Sequence, residues 1–197
     1  MTVNYRWMAE QDGGLEHLAL GIDDTGVHAE GVVIGTDEGT PFGCHYLIAC
    51  DPRWHVRRVA VRVAGAAALR LESDGEGDWR DADGLPLPGL AGCLDVDLSC
   101  TPFTNTLPIR RLSTWLSTRL STRREIVVAY IEVPRLALGP SRQAYGCLGP
   151  GRYRFESLSK PFSADIETDD DGLVLRYPGL FERVRARHPG APFSPGR

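Results

Sequence analysis

"RWHVRRVAVRV", residues 53–63, alternates with a period of two and reads as a β-strand. His55, Arg57, Val59, Val61 and Val63 fall on one face, and Trp54, Val56, Arg58, Ala60 and Arg62 on the other. Both faces mix apolar and charged groups. Such a strand suits a sheet wrapped around a partly polar interior better than a simple sandwich.

The same period recurs on either side. "LEHLALGI", "VHAEGVVIG", "GCHYLIAC", "AALRLES", "CLDVDLSC", "EIVVAYIEV", "RYRFESL", "SADIET" and "GLVLRY" are further strand candidates, separated by turn residues such as Asp23-Asp24-Thr25-Gly26 and Gly149-Pro150-Gly151. Asp169, Asp170 and Asp171 before Gly172 read as a hairpin turn rather than a calcium loop, because no further series of oxygen ligands follows. So many short strands form a sheet that must curl, split or close. The expected fold is mainly β: a single-domain, many-stranded antiparallel curved sheet or open β-barrel with one or two short helices.

One segment breaks the pattern. "LPIRRLSTWLSTRLSTRR" repeats Leu-Ser-Thr every four residues, placing Leu112, Leu116 and Leu120 on one ridge. A short helix is expected within 110–122, with Asn105 or Thr106 as its cap, packed on or into the sheet. One further helical turn is expected around residues 180–184. The domain is expected to span 1–188, followed by a Pro- and Gly-rich tail over 189–197.

Length and composition narrow the function. The chain has 197 residues, 42% hydrophobic and 24% charged, which suits an ordinary globular protein. A net charge of −4 argues against nucleic acid, whose phosphates demand a concentrated basic surface. Only Lys160 among the 22 basic residues is not arginine, which reads as genome composition rather than function. The opening residues lack the pattern of a signal peptide, and no apolar run approaches the roughly 18 residues of a membrane span. A cytoplasmic protein with reduced thiols is expected. The five cysteines include no Cys-x-x-Cys pair and the five histidines are scattered, so neither metal nor other cofactor is expected.

The densest chemistry lies in "GCLDVDLSCTPFTNTLPIRRL", residues 92–112. Strict alternation puts Leu94, Val96, Leu98 and Cys100 on one face and Cys93, Asp95, Asp97 and Ser99 on the other. The two carboxylates then stand about 6.6 Å apart at the backbone, repelling by roughly 2–3 kcal/mol at an effective dielectric of about 20. If that face is not solvated, a proton or cation must compensate. A turn through "TPFTNT" returning antiparallel would bring Arg110 or Arg111 opposite them.

Three readings follow from the residues. The strand face is solvated or ion-paired scaffold; or Asp95 and Asp97 are the acid and base of a hydrolase or isomerase; or the aspartates, threonines, Asn105 and arginines hydrogen-bond a ligand in a cavity. A protein-interaction module without a cavity is a further alternative. No Gly-x-Ser-x-Gly elbow, phosphate-cradling loop or His-Glu-x-x-His motif is present.

The same segment resembles the signature of the bacterial putative glycolipid-binding family, first defined as a domain of unknown function. "DPRWHVRRVAV", "IVVAYIEVP", "RQAYGCL", "RYRFES" and "DGLVLRYPGLFERV" resemble its other segments in order. The resemblance implies a curved, many-stranded β-fold likened to the bacterial lipoprotein carriers LolA and LolB. It also implies a non-catalytic protein holding an amphipathic small molecule, a glycolipid or lipid. Carried over, the ligand-binding patch comprises Asp95, Asp97, Thr101, Thr104, Asn105, Arg110 and Arg111, with Trp54 and Arg58 from the upstream strand. Phe103 is either a cavity wall or an anchor for its loop.

Overall fold

The computed structural model describes residues 2–66, 68–112 and 123–184. Fourteen strands make one sheet: β1 (Thr2–Ala9), β2 (Leu15–Asp23), β3 (Gly26–Asp37), β4 (Thr40–Cys50), β5 (Val56–Val63), β6 (Ala68–Ser73), β7 (Trp79–Asp81), β8 (Asp95–Leu98), β9 (Arg123–Glu132), β10 (Ala137–Gly149), β11 (Arg152–Ser157), β12 (Phe162–Thr168), β13 (Val174–Tyr177) and β14 (Phe181–Arg183). Its order is β7-β6-β5-β4-β3-β2-β1-β14-β13-β12-β11-β10-β9-β8. Two meanders therefore meet in the middle, where β1 pairs antiparallel with β14. The edge strands β7 and β8 follow one another in the chain, and no ladder joins them among the described residues, so the curved sheet stays open. Both edges are short, three and four residues, which limits the unpaired backbone they present.

The concave side is filled by the loop after β8. It winds through a 3₁₀ turn (Phe103–Asn105) into the helix α1 (Thr106–Arg111). Pro108 sits in the first helical turn, where its missing N–H costs no intrahelical bond. Phe103 and Leu107 are wholly buried among Trp7, Leu18 and Tyr46, while Ile109 packs with Tyr145, Phe155, Ile166 and Val174. The plug thus ties the cores of both meanders together.

Several expectations change. The mixed faces of residues 53–63 arise from a β-bulge: Cys50 pairs with Val56 and Ala49 with Arg58, leaving Arg57 as the extra residue. The bulge reverses the parity, so Val56, Val59, Val61 and Val63 all point inward and the charges outward. This strand therefore gives no sign of a polar interior. The helix begins at Thr106 rather than 110, and the expected ridge over 113–122 lies outside the described residues. No side chain caps α1, and Asn105 is engaged elsewhere. Residues 181–183 form strand β14, not a helical turn. β8 runs parallel to β9, an exception in an otherwise antiparallel sheet, and "TPFTNT" leads into the plug rather than an antiparallel return. The tail over 189–197 lies outside the described residues.

β1, β7 and β10 are not among the expected strands. Pro140 and three glycines obscure β10. Pro140 lies where β10 pairs with β9 alone, a place where proline is tolerated. The Asp169 turn is as expected: its carboxylate accepts from the Asp171 and Leu173 amides, and Gly172 takes a φ of 79°. No helix among the described residues is long and apolar enough to cross a membrane.

Candidate functional site

The two aspartates of β8 have separate environments. Asp95 is 0% exposed and held bidentately by Arg111, with Nε 3.1 Å from Oδ1 and Nη2 2.6 Å from Oδ2. Both of its oxygens thus accept from one guanidinium, the bidentate geometry of a charge-assisted pair. Asp97 is half-buried and has no arginine partner among the described residues. It accepts from Thr104 Oγ1 at 3.0 Å and from Gln143 Nε2 at 2.6 Å. Burial raises its pKa, and those two hydrogen bonds pull it back in part. The scaffold reading fits Asp95, whereas Asp97 lines a cleft.

That cleft, about 350 Å³, lies between the end of β8 and β10–β14. Its polar end holds Asp97, Gln143, Asn105 and Thr101; its wall holds Phe155, Phe162, Tyr177 and Phe181. The four aromatic rings stack edge-on or tilted in series, with centroids 5.9 to 6.5 Å apart. Tyr145, wholly buried behind it, donates its hydroxyl to Asn105 Oδ1 at 2.9 Å. Lys160 reaches over the Tyr130 ring at 5.9 Å.

The remaining candidates divide. Phe103 is buried in the core and serves as an anchor, not a wall. Arg110 lies 5.2 Å from the centre of the Trp54 ring, and Trp54 reaches that place through a left-handed φ of 67°. Neither lines a cleft with the aspartates. Arg58 sits on the outer face, its side chain 77% exposed and 3.7 Å from Glu72. It does not belong with the other candidates.

A second cleft of about 330 Å³ adjoins the first and shares Ser99, Tyr130, Leu180 and Phe181 with it. Sequence reasoning missed its principal residue. Glu16, 2% exposed, accepts from Tyr46 Oη at 2.5 Å and from Thr101 Oγ1 at 2.7 Å, both on Oε1. Its other oxygen, Oε2, has no hydrogen-bond partner among the described residues. Burial outweighs the two hydrogen bonds and pushes its pKa up to about 7. Gly31 makes this possible: it faces Tyr46 across the β3–β4 ladder, and a Cβ there would lie 2.2 Å from the tyrosine ring. The ring can lie across β3 and reach β2 because the glycine has no side chain.

The signal for Glu16 was present. In "LEHLALGI" it shares parity with Leu18 and Leu20, so one acid stands on the inward apolar face of an alternating strand. No group of three or more His, Cys, Asp or Glu among the described residues is placed to hold a metal ion.

Taken together, these features define a class: a curved open β-sheet whose concavity is plugged by its own helix, with two adjoining clefts beside the plug. The chain belongs to the family described as "Putative glycolipid-binding", which matches residues 4–183. It is also similar to the crystal structure of a DUF1089 family protein from Pseudomonas aeruginosa, at 41% identity and a TM-score of 0.78, over 87% of this chain and 92% of that one. No curated protein matches the chain.

Proposed function

We propose that this protein binds an amphipathic small molecule, a glycolipid or lipid, in the paired clefts without transforming it. The observation that carries this reading is the composition of the larger cleft, where an aromatic wall faces Asp97, Gln143, Asn105 and Thr101. Ligand sites combine apolar walls with a few placed polar groups in this way. The family's name supports the same class of ligand. Asp97, Thr101 and Asn105 are the proposed contacts from the sequence patch, with Thr104 and Gln143 holding Asp97. Asp95 and Arg111 support the frame, and the acid–base pair of the enzyme alternative loses its first member to Arg111.

We place this activity in the cytoplasm, a reading supported by five buried cysteines that form no disulfide. The test is mass spectrometry of lipids extracted from protein purified natively. Recovery of one class of amphiphile, lost in a Phe162→Asp variant that melts like the parent, is expected. Recovery of no specific molecule across preparations overturns the proposal.

A further inference from the structure

The smaller cleft differs in charge from its neighbour. Asp12, Glu16, Asp37 and Glu132 line it, and no lysine or arginine among the described residues does. Three of these acids are already engaged. Asp12 accepts the backbone amides of Gly14 at 3.0 Å and Thr36 at 2.6 Å. Asp37 and Glu132 pair with Arg135 at 3.0 and 2.7 Å. Glu16 has no cation within ion-pair distance among the described residues, and its Oε2 is an unpartnered acceptor within a buried side chain. A buried carboxylate without a counter-charge is costly, and a protonated one leaves its O–H without an acceptor. Trp7, Phe42, Tyr130 and Phe181 supply aromatic surface to the same cleft. Carboxylate and aromatic faces together are the surroundings that suit an ammonium group.

We infer that the Glu16 cleft is the head-group subsite, and that it takes an amine-bearing, positively charged group whose apolar remainder extends into the aromatic cleft. This rests on the amphiphile-binding reading. The two clefts share Ser99, Tyr130, Leu180 and Phe181 in their linings, so a molecule lying across these residues would touch both. Glu16 is contacted from β4 by Tyr46 and from the loop after β8 by Thr101, with the thiols of Cys44 and Cys100 nearby and Asp12, Asp37, Glu132 and Tyr130 around the same cleft. Glu16 changes charge near neutrality, because burial raises its pKa to about 7. The ionised fraction rises about tenfold between pH 6 and pH 8 for such a group, whereas an alkylammonium stays charged throughout.

The test is titration of the full chain with dodecylammonium, dodecyl maltoside and dodecanoate below their micellar concentrations, followed by tryptophan fluorescence at pH 6 and pH 8. Dodecylammonium should bind roughly tenfold more tightly at pH 8 than at pH 6. Glu16→Gln should remove that pH dependence and weaken dodecylammonium about tenfold at pH 8, more than it weakens dodecyl maltoside. Binding of the maltoside or dodecanoate with no such response of dodecylammonium overturns the head-group inference alone. Failure of all three to bind overturns the amphiphile reading beneath it. If Glu16→Gln does not fold, the pH response of Asp97→Asn decides the inference: a response that persists supports it, and one that is lost assigns the ammonium to Asp97 and overturns it.

Discussion

Near the plugging helix Asp95 is buried with its own arginine, whereas Glu16 is buried with two hydroxyls and, among the described residues, no cation. Both carboxylates come from strands and both face inward. The difference lies in what the plug brings to each. α1 ends in Arg111, which reaches back to Asp95, while the loop before the helix offers Glu16 only the Thr101 hydroxyl. A carboxylate compensated internally is part of the frame. One left uncompensated beside a cleft remains free to meet a proton or a ligand.

The comparison can be broken at either end. Asp95→Ala leaves Arg111 buried and unpaired, so it should cost about 3–5 kcal/mol of unfolding free energy, measured by urea denaturation. A variant within experimental error of the parent would mean that the pair is not part of the frame. At the other extreme, Arg58→Ala removes an exposed side chain with one long ion pair and should change stability by less than about 0.5 kcal/mol, with unaltered amphiphile binding. Lost binding there would return Arg58 to the site.

Much of the sheet was legible because alternation and turn chemistry are local signals. What escaped depends on contacts between segments distant in sequence. The bulge at Arg57 is invisible to a parity count and reverses the strand from that point, so Val56 turns inward against its expected phase. β10 was hidden by Pro140, whose tolerance depends on which partner strand stops short. The site was partly legible. Asp97, Thr101 and Asn105 do line one cleft, whereas Asp95, Arg111 and Phe103 are framework and Arg58 lies on the opposite face. Glu16 could have been found by asking why one acid shares the phase of Leu18 and Leu20. Its partners could not, since Tyr46 and Thr101 lie 30 and 85 residues away.

The uncompensated state of Glu16 has a thermodynamic signature. Its pKa rises from an ordinary 4.5 to about 7 on folding, so the folded protein binds more protons than the unfolded chain between those values. Stability must then fall as pH rises through that window and level off above it. The shift corresponds to a loss on the order of 3 kcal/mol. Asp97, raised for the same reason, adds a contribution of the same sign. Unfolding free energy measured from pH 5 to pH 8 for the parent and for Glu16→Gln is the most direct test. The parent should lose stability on the order of 2–3 kcal/mol over that range, and the variant should lose less. Parallel curves for the two proteins would contradict the account, because they would mean that Glu16 is already compensated in the fold.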